Sequence, residues 1–436
     1  MNNYQLSIKN YQLYKDSGVE WLGDVPEHWE VRRIQDLAYK IGDGLHGTPN
    51  YIDSSDFYFI NGNNLIDGKI FIFESTKCIS EDEFLKYTKK IGKNSILLSV
   101  NGTIGNLAFY NNESVVLGKS AAYIDLKNNI NKQYVYYFLQ STKVNNFFET
   151  TYAGTTIKNL SLRTIKLTSI LNPPLSEQKS IATYLDTKTA QCDRKIDLLT
   201  QKATQYGKLK QSLINETVTR GLDKSVPMKD SGVEWIGEIP EHWEIQRLHD
   251  IAVHQKTKNI GLIEKNLLSL SYGKIKRRDI DTSFGLLPES FETYQIVEEG
   301  NIILRLTDLQ NDQRSLRVGL AREKGIITSA YLCLKFLRNI HPVFAYYLLF
   351  MYDISKVFYW FGGGLRQSMK FDDVKVFPFV VPPLSEQKAI ADYLDKKTAQ
   401  IDQIIQTINT QIEKLKELRK TLINDVVTGK IKVINN

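Results

Sequence analysis

Two long stretches of the chain carry an apolar residue at every seventh position, with apolar companions three or four positions away. In the first stretch the pattern includes Leu185, Ile196, Leu199 and Leu213. In the second stretch it includes Leu394, Ile401, Ile405, Ile408, Ile412, Leu415 and Leu422. Seven-residue spacing is typical of a helix that packs against another helix along one seam. The pattern therefore predicts two paired helices, each on the order of 65 Å long.

Both stretches begin with the same seven residues, Pro-Pro-Leu-Ser-Glu-Gln-Lys, at 173–179 and 382–388. Proline lacks a backbone N–H and disfavours helical geometry in the residue before it, so each helix is expected to begin after its proline pair. The following serine is the predicted N-cap, and the glutamate faces the positive end of the helix dipole. The stretches also share Tyr-Leu-Asp, Lys-Thr-Ala-Gln and Leu-Ile-Asn. They are copies of one another.

A second motif, which we call the opening motif, is repeated in the same order. Ser-Gly-Val-Glu-Trp and Pro-Glu-His-Trp-Glu occur together at 17–30 and return at 231–244. The opening motif recurs 214 positions on (231 minus 17), and the helix start 209 positions on (382 minus 173). The chain is therefore one duplication, in which an opening motif, a divergent region and a long helix occur twice.

The divergent regions, at about 39–172 and 253–381, share little sequence. Runs rich in β-branched and aromatic residues predict strands at 57–60, 95–100, 121–126, 301–306 and 330–336. Helices are predicted at 134–148 and 342–352. The predicted fold class is α/β (α+β), with two mixed α/β domains and a long two-helix coiled coil. The predicted segments are 1–172, 173–222, 223–381 and 382–436.

Composition narrows the class of protein only modestly. The 436 residues are 42% apolar and carry a net charge of +7, which permits nucleic acid or an acidic partner. No run of 18 apolar residues occurs, and the N-terminus lacks the layout of a secretory signal. The three cysteines are widely spaced and predict neither a disulfide framework nor a zinc site. These features favour a cytoplasmic protein.

Several short motifs resemble catalytic sites but lack the necessary context. Residues 42–47 match G-x-G-x-x-G, yet Pro49 and a polar run follow where a dinucleotide site needs a helix. Glu113 stands where a P-loop ending at 118–120 needs glycine. Residues 172–175 resemble the Asn-Pro-Pro-aromatic motif of adenine methyltransferases, but the fourth residue is leucine. The sequence predicts no catalytic residue, no metal site and no cofactor in this chain.

Two repeated pairs of ionisable residues also have structural interpretations. His28 and His242 are expected to pack beside their neighbouring tryptophans, and Glu177 and Glu386 to be solvated. A nuclease would need further carboxylates to hold its metal ion, and none is evident near these glutamates.

Basic and amide side chains cluster in the loops of the divergent regions. Arg, Lys, Asn and Gln make paired hydrogen bonds to base edges, and glycine loops let backbone approach phosphates. The predicted DNA-binding residues are Lys158, Asn159, Lys276, Arg277, Arg278, Gln310, Asn311, Arg314, Arg317, Arg366, Gln367 and Lys370.

Taken together, the two opening motifs, the two Pro-Pro-Leu-Ser-Glu-Gln-Lys helices and the two unlike regions between them resemble the specificity subunit (HsdS) of type I restriction–modification systems. The resemblance extends from about residue 14 to residue 431. It implies that each divergent region is a target-recognition domain reading one half of a split site on double-stranded DNA. It also implies that the helices pair antiparallel and set the length of the unread spacer.

The resemblance further implies a set of partners. Two methyltransferase subunits (HsdM) would dock on the repeated regions, and two motor and nuclease subunits (HsdR) would join them. S-adenosylmethionine, ATP and Mg²⁺ are then expected in those partners, and this chain is expected to be non-catalytic.

Two alternatives remain at this point, a stand-alone DNA methyltransferase or nuclease and a coiled-coil scaffold that does not contact DNA. One feature of the pattern conflicts with a strong coiled coil, because Lys210, Thr217 and Arg419 fall on the seam. Looser packing is therefore expected near the C-terminal ends of the helices, or coverage there by a methyltransferase subunit.

Overall fold

The computed structural model describes residues 8–152, 158–279, 290–309, 316–361 and 368–433. The chain divides into two compact units. Unit 1 comprises residues 1–199 and 410–436, and unit 2 comprises residues 200–409. Each unit thus contains the first part of one long helix and the last part of the other. The four functional segments drawn from the sequence remain a prediction.

The long helices are Leu175–Arg220, of 46 residues, and Leu384–Val427, of 44 residues. The first begins one residue before the predicted serine N-cap, because the carbonyl of Pro174 already accepts the N–H groups of Glu177 and Gln178 at 2.9 Å. The serine therefore lies in the first turn, and its prediction as N-cap was wrong. Gly221, at φ +74°, follows the first helix directly and supplies the left-handed residue common at a helix C-terminus.

Unit 1 contains two four-stranded sheets. One is antiparallel, in the order Leu107–Phe109, Ser95–Ser99, Ala121–Leu126 and Ala38–Asp43. The other has the order Val115–Leu117, Tyr58–Ile60, Lys77–Ile79 and Tyr51–Ile52, with its first pair parallel. Two-stranded pairs are Tyr14–Asp16 with Asp24–Pro26, Glu30–Arg33 with Ser169–Asn172, Leu65–Ile66 with Lys69–Ile70, and Ile8–Lys9 with Lys432–Val433. The shorter helices are Ile34–Leu37, Gly62–Asn64, Glu81–Tyr87, Lys132–Leu139, Thr142–Thr151 and Leu162–Leu167.

Unit 2 contains one four-stranded antiparallel sheet, in the order Ala252–Gln255, Leu332–Phe336, Ile302–Leu304 and Val318–Leu320. Its two-stranded pairs are Met228–Asp230 with Glu238–Pro240, Glu244–Arg247 with Pro378–Val381, Leu268–Ser271 with Lys274–Arg277, and Gln295–Val297 with Gly325–Ile327. Its shorter helices are Leu248–Ile251, Ile260–Leu262, Phe291–Thr293, Pro342–Ile354, Val357–Phe361 and Phe371–Val374.

The predicted fold class is confirmed, and so are the five predicted strands, each within a few residues. The predicted helix at 342–352 is confirmed as Pro342–Ile354. The single helix predicted at 134–148 was wrong, because the chain forms two helices, Lys132–Leu139 and Thr142–Thr151. Ser141 separates them, since its hydroxyl accepts the N–H of Val144 and caps a new helix.

The core of each unit surrounds the second tryptophan of an opening motif. Trp29 in unit 1 and Trp243 in unit 2 are both fully buried. In unit 1 the start of the first long helix, at Leu185, shares a core with the end of the second, at Val426. In unit 2 the end of the first helix, at Val218, shares a core with the start of the second. The helix segments within each unit therefore run antiparallel.

The residues predicted for the seam are all buried or half-buried. Leu185 and Leu394 are 0% exposed, whereas three leucines off the pattern, Leu198, Leu209 and Leu418, are 53–57% exposed. A leucine loses roughly 1.5–3 kcal/mol of stabilisation when it is exposed rather than buried, so the pattern identifies the face that holds the helices together.

The charged seam residues do not loosen the packing, so the expectation of looser packing was wrong, whereas coverage by a methyltransferase subunit stays a prediction. Lys210 Nζ lies 2.7 Å from Asp402 Oδ1, and Arg419 Nε lies 3.0 Å from Asp193 Oδ1. The second pair is an ion pair without a well-aligned hydrogen bond. Each pair is the repeat of the other, since both the acids and the bases are 209 positions apart (402 minus 193, 419 minus 210). Each seam cation is paired with an acid of the opposite helix, and the nearby helix ends, at Val218 and Val426, are buried.

Candidate nucleic-acid interface

The repeated motifs meet at the start of each long helix. His28 Nε2 lies 2.9 Å from Glu177 Oε2, and His242 Nε2 lies 2.8 Å from Glu386 Oε1. The other carboxylate oxygen of Glu177 accepts the hydroxyl of Tyr11, while that of Glu386 accepts Trp243 Nε1 at 2.9 Å. The expectation that these glutamates are simply solvated was therefore wrong, because each one holds an opening motif against its helix.

The glutamine of each helix start holds the divergent region in place. Gln178 and Gln387 are 2% and 0% exposed. Gln387 Oε1 accepts the N–H of His341 at 2.8 Å, and its Nε2 donates to the carbonyls of Pro382 and Asn339 at 2.8 and 3.1 Å. Gln178 makes the matching bonds to the N–H of Asn131 and the carbonyl of Pro173, both at 2.9 Å. His341 and Asn131 are N-caps, so each glutamine fixes the start of a domain helix.

A tyrosine, an aspartate and a threonine make a second attachment, again in both units. Tyr137 donates to Asp186 at 2.7 Å and lies 3.1 Å from the hydroxyl of Thr189. Tyr347 repeats this arrangement with the aspartate of the second Tyr-Leu-Asp, at 2.8 Å, and the threonine of the second Lys-Thr-Ala-Gln, at 3.0 Å. Burial raises the pKa of both tyrosines, so their hydroxyls stay neutral donors. Each divergent region is thereby fixed to the helix that follows it.

Two segments of unit 1 converge beside the central sheet, and we call residues 100–103 and 158–161 the first reading face. The N–H of Leu160 donates to the carbonyl of Val100 at 2.8 Å, and Asn159 pairs with Asn101 as an isolated bridge. Lys158 is exposed and lies over the ring of Tyr152. The face borders a cleft of about 190 Å³ whose polar lining includes Asn101, Asn159, Lys119 and His46. Two of the predicted DNA-binding residues therefore lie here.

The corresponding segments of unit 2 converge in the same way, and we call residues 305–309 and 368–370 the second reading face. The N–H of Met369 donates to the carbonyl of Leu306 at 2.9 Å, and that of Asp308 to Ser368 Oγ at 3.4 Å. Asp308 adopts φ +57°, a left-handed conformation that aspartate tolerates. Lys370, a predicted DNA-binding residue, is exposed beside this junction.

The structure does not bring all the predicted DNA-binding residues of unit 2 together. Lys276, Arg277 and Arg278 are exposed on a separate hairpin, in the strand Lys274–Arg277 or directly after it. Arg277 Nε lies 2.8 Å from Glu323 Oε1, and this contact lowers the pKa of the glutamate. Five further predicted residues fall outside the described residues: Gln310, Asn311, Arg314, Arg366 and Gln367.

The structure corrects the prediction for Arg317. Its side chain is 0% exposed, and its guanidinium donates to the carbonyls of Arg305 and Thr307 at 3.0 and 2.8 Å. A side chain held in this way cannot contact DNA without leaving the interior. An arginine next to a polar loop gives the same sequence pattern whether it points inward or outward.

The described parts of the chain contain no group of three or more His, Cys, Asp or Glu residues placed to hold a metal ion. Among the described helices, none combines the length and the apolar character needed to cross a membrane.

Comparison with known proteins places this architecture in a family. The sequence profile of the type I restriction modification DNA specificity domain matches residues 26–205 and 240–414. The type I restriction enzyme MjaVIII specificity subunit of Methanocaldococcus jannaschii is 25% identical over 452 residues, with 97% of this chain and 98% of that protein covered.

Solved structures share the fold at low sequence identity. A structure described as the basis of complex assembly and conformational transition of the type I R-M system aligns with a TM-score of 0.68 and 14% identity, over 92% of this chain and 98% of that chain. The HsdS subunit from Thermoanaerobacter tengcongensis aligns with a TM-score of 0.51 and 15% identity, over 93% and 98%. Because the family profile covers both repeats, this chain belongs to the family of type I restriction–modification DNA specificity subunits.

Proposed function

We propose that this chain selects the DNA sequence on which a type I restriction–modification complex acts. As a specificity subunit it is the non-catalytic, DNA-recognising member of that complex. Each reading face contacts one half of a bipartite site on double-stranded DNA, and the paired long helices set the spacer between the halves.

The observation that carries this proposal is the repeated geometry of the two reading faces. In each unit the loop after a central strand is hydrogen-bonded to the segment that precedes the next helix, Val100 with Leu160 and Leu306 with Met369. Both junctions carry exposed amide or basic side chains, although their sequences differ. Matching junctions that carry different surfaces are what two half-sites of different sequence require.

Family membership supports the kinds of partner, and we propose two copies of each. Two methyltransferase subunits dock on the repeated helix regions and bring S-adenosylmethionine, and two motor and nuclease subunits bring ATP and Mg²⁺. The segments for these tasks are 1–172 and 223–381 for recognition, and 173–222 and 382–436 for spacing and docking. The complex then works in the cytoplasm, where its DNA lies.

The test is to express the chain with a methyltransferase subunit and map the methylated bases in the host genome. The expected motif is split, with two specific parts around an unspecified spacer. Exchanging residues 39–172 for those of a relative should change one half of the motif and leave the other unchanged. A continuous motif contradicts the proposal, and methylation by the purified chain alone would indicate a methyltransferase. DNA affinity that does not fall with salt would favour a scaffold.

A further inference from the structure

Arg317 lies inside unit 2 and connects two segments that are far apart in sequence. Its Nη1 donates to the carbonyls of Arg305 and Thr307, its Nη2 to that of Asp308 at 3.3 Å, and its Nε to the hydroxyl of Tyr359 at 2.9 Å. Its own N–H donates to Asp353 Oδ2. A guanidinium is planar with donors in a fixed fork, so these bonds fix the positions of their acceptors relative to one another.

Both connected segments belong to the second reading face or lead into it. Residues 305–308 form most of the segment 305–309. The carbonyl of Leu306 accepts the N–H of Met369 and so holds the other segment, 368–370. Tyr359 lies in the helix Val357–Phe361, which ends directly before the glycine run at 362–364. One buried side chain therefore bonds both to the backbone of the first segment of this face and to a helix that precedes the second segment in the chain.

At the corresponding position unit 1 has Asn106 rather than an arginine. The bond from the N–H of Arg305 to the carbonyl of Arg317, at 2.9 Å, corresponds to that from Ser99 to Asn106, at 2.8 Å. The turn between Ser99 and Asn106 is short and closes with a bond from the N–H of Gly105 to the carbonyl of Ser99. The loop between Arg305 and Arg317 is longer. Its first residues are held by hydrogen bonds from the Arg317 guanidinium to the carbonyls of Thr307 and Asp308.

We propose that Arg317 is a positioning residue for sequence readout by unit 2. It holds the second reading face in the conformation that fits one half-site, without touching the DNA. This inference rests on the proposed function. Ordering a binding surface in advance lowers the cost of binding only for the sequence that fits it, so loss of the support should reduce discrimination as well as affinity.

The test uses the full chain in complex with its methyltransferase subunit and three duplexes: the mapped site, the site altered in the half read by unit 1, and the site altered in the half read by unit 2. Affinities are measured at several salt concentrations. The variants are Arg317→Met, which keeps the length and removes the donors, and the milder Tyr359→Phe. Arg338→Met, at an exposed arginine of the same unit, is the matched control.

Arg317→Met should lower the preference for the mapped site over the duplex altered in the unit 2 half by about 10-fold or more, because three partly buried carbonyls lose their donor. Its preference over the duplex altered in the unit 1 half should not change. Tyr359→Phe should show a smaller loss in the same direction, and Arg338→Met none. The slope of log affinity against log salt should stay constant, because no phosphate contact is removed.

Three results would overturn the inference. An equal loss of preference at both halves would indicate general destabilisation, and a salt slope smaller by about one would indicate a direct phosphate contact. Unchanged discrimination in Arg317→Met would show that the face needs no support. A wild-type complex that does not discriminate between the duplexes would instead refute the proposed function.

Discussion

Gln387 should contribute more to the stability of unit 2 than any exposed glutamine of the same helix. It is fully buried and bonds to three backbone groups, the N–H of His341 and the carbonyls of Pro382 and Asn339. The perturbation is Gln387→Leu, which keeps the size of the side chain and removes both its donor and its acceptor.

The loss of unfolding free energy in Gln387→Leu depends on how far each hydrogen-bond partner of Gln387 is shielded from water. The carbonyl of Pro382 is in a buried bond, so leaving it unsatisfied costs about 1–3 kcal/mol. The other two bonds are partly exposed, and water can replace part of each, so each should cost about 0.5–1 kcal/mol. Burial of the added leucine recovers some of this loss. The net destabilisation should be about 2–3 kcal/mol.

Hydrogen–deuterium exchange is the suitable assay, because a chain with two units need not unfold in one step. The backbone N–H of His341 should exchange about 30-fold or more faster in Gln387→Leu, and that acceleration should be confined to unit 2. Gln178→Leu should have the same effect on Asn131 in unit 1, and Gln400→Leu, at an exposed position, should have none. Exchange at His341 that matches the wild type would refute the assignment of Gln387 as a structural clamp.

Three further predictions concern charged groups. A double-mutant cycle on Lys210→Met and Asp402→Asn should give a coupling of about 0.5–1 kcal/mol in the hydrogen–deuterium exchange of unit 2, since the pair is partly exposed; zero coupling would contradict its role in the seam. Burial raises the pKa of Asp353 from the ordinary 3.8 to about 6, so the stabilisation from its protonation is complete below about pH 4 and is lost as pH rises through 6. Asp353→Asn should therefore remove on the order of 3 kcal/mol of pH dependence from unit 2 between pH 4 and 7, and an unchanged pH profile would count against this burial. Lys370→Gln should weaken DNA binding and reduce the salt slope by about one, whereas an unchanged slope would exclude a phosphate contact.

The sequence predicted those parts of the fold that depend on repetition and periodicity. The heptad pattern identified the seam through Leu185 and Leu394, and the matching motifs identified the duplication. Contacts between distant segments could not be predicted. Lys210 was expected to weaken the seam because the sequence does not show that Asp402 lies opposite. Arg317 was expected to bind DNA because the sequence does not show that its hydrogen-bond acceptors, which come from other parts of the chain, hold it in the interior.

Side chains of the repeated motifs make different contacts from side chains of the divergent regions. This difference explains how one scaffold can carry two regions of unlike sequence. The glutamines that attach each domain, Gln178 and Gln387, come from the repeated motifs, and in the divergent region they accept backbone N–H groups, those of Asn131 and His341. A backbone group offers the same hydrogen bond whatever side chain it carries, so the divergent region can change its sequence without losing this attachment. The second attachment depends on a side chain of the divergent region, Tyr137 or Tyr347. The support under the second reading face differs, because Arg317 belongs to the divergent region itself. A new specificity therefore has to bring its own internal support and the tyrosine of the second attachment, while the glutamine attachment is already provided by the long helices.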